Sequence, residues 1–311
     1  MTVIKGTEFD VFPLNLGGNT FGWTSHGEDT FAVLDAFVAG GGNFVDTADL
    51  YSTWAEGNEG GESERELGAW IKKNGADKLI IATKSGALKG VEGRSREATF
   101  KAVEGSLERL GVDAIDIFYY HYDDEAVSID EQVAIAQDLI SEGKIKHLAL
   151  SNYAPDRLEE FFEKSAGTPA QPVALQPHYN LLARKEYEET VRPLVEKHGV
   201  AVFPYFALAA GLLTGKYESK EDIAGKARAG QLDGYATDEA FAVVSEVRAI
   251  AKEAGVAPTT VALAWLIAHG VTAPVASVSK VEQLEDLLAV KDLKLSAEQV
   301  ARLDKVSEPF A

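Results

Sequence analysis

Cysteine is absent from the 311-residue chain. Disulfides, thiolate nucleophiles and zinc–cysteine sites are therefore excluded, and the composition suits a reducing cytoplasm. Long apolar runs are missing too: nothing approaches the roughly 18 apolar residues needed to cross a bilayer, so no membrane association is expected. Met1-Thr2-Val3-Ile4-Lys5-Gly6 has neither the charged nor the apolar region of a signal peptide. Basic residues are scarce, 30 against 49 acidic ones, giving a formal charge of −19. That balance argues against nucleic acid, whose phosphates need a basic face. An anionic small molecule would have to be captured by local groups. Taken alone, the acidity reads as solubility.

The usual nucleotide signatures are missing as well. Gly17-Gly18-Asn19-Thr20-Phe21-Gly22 is not G-x-G-x-x-G, and Gly40-Gly41-Gly42 precedes a strand pattern rather than a helix. Gly211-Leu212-Leu213-Thr214-Gly215-Lys216-Tyr217 resembles a P-loop only superficially. Its glycines are one residue too close, and Tyr217 stands where a Ser or Thr would serve magnesium.

With 46% hydrophobic residues, the chain can build a large core, and no Pro/Ser/Gly-rich linker divides it. We therefore expect one α/β domain over residues 1–311. Val3-Ile4-Lys5 and Val11-Phe12-Pro13 flank a polar turn and suggest an N-terminal hairpin. Eight β-type segments follow, at about 14–19, 43–47, 79–84, 115–121, 145–151, 173–177, 200–206 and 273–278. Between them, Thr30 to Val38, Glu64 to Lys73, Arg96 to Leu110 and Glu131 to Ser141 carry apolar residues at helical spacing. Pro155 to Phe162, Tyr187 to His198, Asp238 to Ala254 and Val281 to Val290 continue the alternation, and Pro258 to His269 reads as an extra helix. Gly40, Gly111, Gly143, Gly199 and Gly255 stand where helix ends favour a positive φ. Eight βα units in this length predict a (β/α)8 TIM barrel behind an N-terminal β-hairpin, with a doubly wound open sheet as the rival. The stretch from Gly211 to Gly234 lacks strong periodicity and is a candidate lid or cofactor loop.

Asp46, Lys84 and His121 each fall at or near the end of a β-type run, and Tyr51 follows Asp46 closely. A barrel would bring strand ends to one rim. A phenol is a poor acid at neutral pH, but a nearby ammonium favours its ionised form and a carboxylate holds that ammonium in place. Histidine can donate a hydrogen bond that orients an oxygen. The set can protonate a carbonyl oxygen as hydride reaches carbon, or run the reverse, without a metal.

On these residues the chain resembles the aldo-keto reductases, from the hairpin to about Leu288. Asp46-Thr47-Ala48-Asp49-Leu50-Tyr51 looks like D-T-A-x-x-Y, and Gly60-Gly61-Glu62-Ser63-Glu64 resembles the G-x-S-E helix start. Ile81-Ala82-Thr83-Lys84 is similar to the catalytic-lysine strand, and Asp116-Ile117-Phe118-Tyr119-Tyr120-His121 to the histidine strand. The run from Gly143 to Tyr153 is similar to G-K-[IV]-R-x-[IL]-G-[VLA]-S-N-[FY], and Leu175 to Leu181 to the Q-x-x-Y-N-L strand. The resemblance implies a (β/α)8 barrel, Tyr51 as general acid/base, Lys84 as its pKa modulator, Asp46 as the partner of Lys84, and His121 orienting the substrate carbonyl. It implies a small-molecule carbonyl or alcohol substrate and a nicotinamide cofactor, NADP(H) favoured and NAD(H) possible.

The cofactor contacts it implies begin with Gly18, Asn19 and Asp46 near the first two strands. Ser151, Asn152 and Gln176 would hold the carboxamide, since amides offer both donor and acceptor. Tyr205 would stack on the ring. Phe206, Ala207, Leu208, Gly215 and Lys216 would lie along the pyrophosphate. Ser277, Ser279, Lys280, Gln283 and Asp286 would meet the adenosine end. The chain departs from the family at Phe206 and Ala207, which replace a hydroxyl residue and a proline. Ser279 stands where many members carry an arginine against the 2′-phosphate, a position where a bidentate partner matters. Trp23, Trp54, Tyr122 and Phe206 are candidate pocket walls, and Glu56 and Asn58 candidate contacts for a polyhydroxy substrate. His178 is assigned no role, and His26, His147, His198 and His269 are expected at the surface or in packing. A regulatory cofactor-binding subunit, as in potassium-channel β subunits, is the alternative to an enzyme. A metal-dependent hydrolase on the same barrel would need a His-x-His or carboxylate cluster, which the strand ends lack. Nothing in the helices specifies an oligomeric state.

Overall fold

The computed structural model describes residues 1–223, 229–232 and 234–311. The hairpin pairs β1 (Thr2–Val3) with β2 (Asp10–Val11), Val3 opposite Asp10. Eight parallel strands follow: β3 (Asn15–Gly17), β4 (Phe44–Asp46), β5 (Ile80–Ser85), β6 (Ile115–Tyr120), β7 (Ile145–Ser151), β8 (Ala174–Gln176), β9 (Ala201–Val202) and β10 (Val275–Ala276). Each hydrogen-bonds to the next in chain order, and β10 lies beside β3. The ring closes where Val275 N donates to Pro204 O at 3.0 Å and Thr272 N to Val202 O at 3.1 Å. The eight-stranded barrel with its N-terminal hairpin is the expected fold, and the open-sheet rival is set aside.

Both faces of a parallel strand are covered, so β5 and β6 are buried at every position and read as continuous rather than alternating runs. One cluster, including Phe44, Ile80, Ala82, Ile117, Tyr119, Ala149, Ala174, Ala201 and Phe203, fills the barrel; Ile4, Phe9 and Val11 of the hairpin join it and plug one end. A second, larger core lies between barrel and helices. Four alanines beside the bulky rings show how small and large residues share a narrow interior.

Several boundaries differ from expectation. The strands at 200–206 and 273–278 are shorter than expected because Pro204 and Pro274 bring no N–H to a ladder, and the one expected at 14–19 is limited to Asn15–Gly17. The segment Tyr187–His198 opens as a wide π turn, Tyr187–Val191, before the α-helix Arg192–His198. Pro193 cannot donate one turn back, which accounts for the slipped register. The expected helix over Val281 to Val290 is a short α-helix, Leu284–Leu288, flanked by 3-10 turns. Gly111, Gly199 and Gly255 close their helices with φ of 68°, 66° and 68°, and Gly143 has φ 70°. Gly40 does not, with φ −76°; the positive φ falls on Gly41 instead. The expected lid is partly described, as 3-10 turns Ala209–Thr214 and Glu221–Ile223 and helix Ala229–Leu232; residues 224–228 and 233 lie outside the described residues. Among the described residues no single helix is long and apolar enough to cross a membrane.

Candidate active site

Strand parity builds the site. Side chains alternate along a strand, so the residue two beyond an interior one also points inward. Phe44, Ala82, Tyr119, Ala149, Ala174 and Phe203 lie inside the barrel. Two residues on stand Asp46, Lys84, His121, Ser151, Gln176 and Tyr205. Polar groups thus gather at the C-terminal mouth, where barrel catalysis takes place.

Lys84 is the hub. Its Nζ donates to Asp46 Oδ2 at 2.6 Å, to Thr47 O at 2.8 Å and to Tyr51 OH at 2.9 Å. Asp46 and Lys84 side chains are both 0% exposed. Asp46 also accepts from Tyr51 OH at 3.2 Å, and from Gln176 Nε2 through its other oxygen at 3.0 Å. His121 is nearly buried, its ring centroid 6.2 Å from that of Tyr51 and 4.7 Å from the stacked Tyr122 ring. Its Nδ1 has no hydrogen-bond partner among the described residues.

Burial acts on each group in the direction that disfavours charge. Burial first, then the Asp46 carboxylate, holds the Tyr51 phenol well above its ordinary value. The ammonium was expected to lower it; in this arrangement desolvation and Asp46 outweigh Lys84, so Tyr51 keeps its proton at neutral pH. Burial lowers Lys84, opposed by Asp46. Burial, with Lys84 and Arg94 nearby, keeps His121 well below its usual range and therefore neutral. A protonated phenol beside an ammonium and a neutral imidazole can give up one proton to an oxygen and stabilise the phenolate that forms.

A second group adjoins this one. Asn152 donates from Nδ2 to His121 O at 2.8 Å and to Ser151 Oγ at 3.0 Å, and accepts from Tyr205 OH at 3.1 Å. Ser151 Oγ donates to Gln176 O at 2.9 Å. Asn152 adopts φ 54°, which an asparagine tolerates, whereas Phe206 adopts φ 52°, a region that bulky side chains seldom occupy. Such strain gathers at functional sites. The hydroxyl and two amides beside an aromatic plate match the donor set of a planar ring bearing a carboxamide. On that chemistry the residues present fit a nicotinamide.

The remaining candidates are placed less uniformly. Gly18 has both backbone groups engaged, N–H to Asp46 O and C=O from Ser63 Oγ, each at 2.7 Å; the neighbouring Asn19 keeps a buried Oδ1 without a hydrogen-bond partner among the described residues. Ala207 is buried, Leu208 half-buried and Phe206 exposed. Gly215 turns the chain at φ 74°, with the exposed Lys216 over the Tyr217 ring at 4.9 Å. Ser279 Oγ bonds Thr24 Oγ1 at 2.7 Å, and Gln283 Oε1 accepts from Ser279 N at 2.9 Å and Lys280 N at 3.3 Å. Lys280 and Asp286 are exposed, and Ser277 is half-buried. Asn58 is not free for a substrate: its Nδ2 donates to Gly22 O and Ser52 O, each at 2.8 Å, and pins the loop. Trp54, Tyr122 and Phe206 are exposed, and Trp23 meets Trp54 edge-on at 5.7 Å, so these aromatics do line the mouth.

Three residues went unassigned in the sequence. His178 stacks on Tyr205 at 5.2 Å and 12°, covering one face of that ring, and its Nε2 meets Tyr235 OH at 2.6 Å. Parity would have found it, since His178 lies two beyond Gln176. Tyr235 reaches it from the end of the loop region, where spacing carries no signal. Thr47 contributes only its carbonyl, which no residue type reveals.

The family model described as "Aldo/keto reductase family" matches residues 13–308. The chain is 31% identical to an aldo-keto reductase of Strobilurus tenacellus, over 93% of this chain and 84% of that protein. It is 28% identical to an aryl-alcohol dehydrogenase [NADP(+)] of Phanerodontia chrysosporium, over 96% and 79%. It is 30% identical to a putative voltage-gated potassium channel subunit beta of Schizosaccharomyces pombe, over 92% and 88%. With a barrel whose mouth gathers Asp46, Tyr51, Lys84 and His121, and a family match running almost end to end, the chain belongs to the aldo-keto reductase family and is an oxidoreductase of that family.

Proposed function

We propose that the chain, acting as one domain over residues 1–311, interconverts a small aldehyde or ketone and its alcohol with NADP(H), and that Tyr51 supplies or takes the proton at oxygen. The observation that carries this is the buried Tyr51–Lys84–Asp46 cluster at the barrel mouth. NADPH would supply the hydride. Ser151, Asn152 and Gln176 would hold its carboxamide end, and Tyr205, backed by His178, would fix the face presented to substrate. His121 would donate a hydrogen bond to the substrate oxygen, and Tyr51 would pass its proton to that oxygen while Lys84 stabilises the phenolate. Leu208, Gly215 and Lys216 would lie along the pyrophosphate. The cysteine-free composition is compatible with a cytoplasmic setting.

NADP(H) is favoured over NAD(H) because Lys280 is exposed beside the Ser277 and Ser279 hydroxyls, close to where the 2′-phosphate would lie. Titration of tryptophan fluorescence with each cofactor tests this. Saturable quenching is expected with both, tighter for NADPH. Lys280→Ala should weaken NADPH about tenfold or more, the scale of one charge-assisted hydrogen bond, and leave NADH unchanged. Equal weakening of both would place Lys280 elsewhere, and no quenching by either would remove the cofactor from the proposal.

A cofactor-binding regulatory subunit with little turnover is favoured only by the likeness to the S. pombe relative, itself a putative voltage-gated potassium channel subunit beta. The complete four-residue set favours an enzyme, since a sensor has no need of a competent acid. Retention of cofactor through gel filtration with negligible turnover would favour the regulatory role.

A further inference from the structure

Two buried carboxylates lie behind Lys84 besides Asp46, and they differ. Glu64 is fully engaged: Oε1 accepts from Thr83 Oγ1 and Oε2 from Arg109 Nε, each at 2.6 Å. Asp49 is 0% exposed, and neither of its oxygens has a hydrogen-bond partner among the described residues. Its backbone is tied to the hub, since Asp49 N donates to Lys84 O at 3.0 Å and Asp49 O accepts from Gly61 N at 2.6 Å. Those backbone bonds need no carboxylate; Asn or Ala would make them equally. A buried acid with no donor is costly to retain for packing alone.

The charged groups around Asp49 come from every neighbouring element. Lys84 on β5 and Asp46 on β4 lie toward the mouth. Glu64 stands on helix Glu62–Asn74, Arg109 on helix Arg96–Leu110, and Arg94 in the loop between. Arg94 is almost wholly buried, with its guanidinium 4.8 Å above the Tyr120 ring and hydrogen-bonded to Ser85 O. Its Nε and Nη1 are also without hydrogen-bond partners among the described residues.

We propose that Asp49 is a positioning residue for the proton transfer: its charge, placed behind Lys84 by the backbone bond, joins Asp46 in keeping Lys84 an ammonium and so keeps Tyr51 competent. The inference rests on the assignment of Tyr51 and Lys84 under Proposed function. Burial, reinforced by Glu64 and offset in part by Arg109 and Arg94, lifts the Asp49 carboxyl to about 7. Its charge therefore appears across the neutral range, where it opposes the burial that discharges Lys84.

The test is the pH profile of kcat/KM for NADPH-dependent reduction of an aldehyde that the wild-type chain turns over, compared with Asp49→Asn. Below about pH 6 both chains carry a neutral side chain at position 49 and their profiles should converge. Above neutrality Asp49→Asn should fall behind, its alkaline limb displaced to lower pH by about one unit, the usual effect of a neighbouring charge on a buried group. Parallel profiles in a folded, NADPH-binding Asp49→Asn chain would overturn the proposal, because a purely structural role scales the rate without moving the limb. If Asp49→Asn does not fold, Asp49→Ala carries the same comparison, since it keeps the backbone bonds. Parallel profiles with an inactive Tyr51→Phe would remove only the role of Asp49. An active Tyr51→Phe would remove the assignment beneath it.

Discussion

Tyr51→Phe is expected to bind NADPH with near-native affinity and to lose carbonyl reduction by on the order of 10²–10⁴-fold, the range spanned by a positioned general acid. The phenol touches no carboxamide-holding residue, so the cofactor side is untouched. Lys84 keeps two of its three partners, Asp46 Oδ2 and Thr47 O, and the fold should lose only about 1 kcal/mol. Steady-state kinetics together with a binding isotherm separate the two effects. Turnover within about threefold of the parent would mean that another group gives the proton, since even a weak general acid is worth far more.

The second large effect is on stability. Asp46→Leu leaves Lys84 buried without its carboxylate and is expected to cost about 3–5 kcal/mol, as for breaking a buried ion pair at one end. Gln176 Nε2 and Tyr51 OH lose an acceptor at the same time. Removing both charges, in Asp46→Leu with Lys84→Met, should recover most of that stability, because the desolvation of the ammonium disappears with it. Activity should remain lost in the double variant. Chemical denaturation of the two singles and the double gives the coupling energy directly. A double variant no more stable than Asp46→Leu alone would show that the carboxylate is held for the hydrogen bonds to Gln176 and Tyr51 rather than for the ammonium.

Much of the molecule was legible because two periodicities coincide with it. Alternating β-type and helical segments gave eight βα units, and helices Arg96–Leu110 and Asp238–Ala254 fall on the spans read from apolar spacing. Asp46, Lys84 and His121 were legible because strand ends share a rim, and Tyr51 because it follows Asp46 by one short loop. What the spacing did not carry falls into physical classes. Prolines trimmed β9 and β10 by removing donors. The positive φ of Phe206 belongs to a residue not favoured there, so only the folded backbone reveals it. The raised Tyr51 pKa depends on how completely burial and Asp46 offset Lys84, a balance of distances. Asp49 falls on an unspecified position of D-T-A-x-x-Y, and only the fold shows that its carboxylate meets no donor among the described residues. His178 was within reach of the method, two residues past Gln176, but a lone histidine without a partner in sequence gives no hint of a stacking role.

In the proposed reaction this barrel mouth moves a hydride to a carbonyl carbon while Tyr51 moves a proton to the oxygen. NADPH deuterated at the hydride-donating carbon, an aldehyde substrate and mass analysis of the alcohol follow both transfers. Transfer of one deuterium to the carbinol carbon by the wild-type chain, with on the order of a hundredfold less or lower still from Tyr51→Phe over the same period, is the expected result. Cofactor oxidation without label in the alcohol, or equal label from Tyr51→Phe, would contradict it.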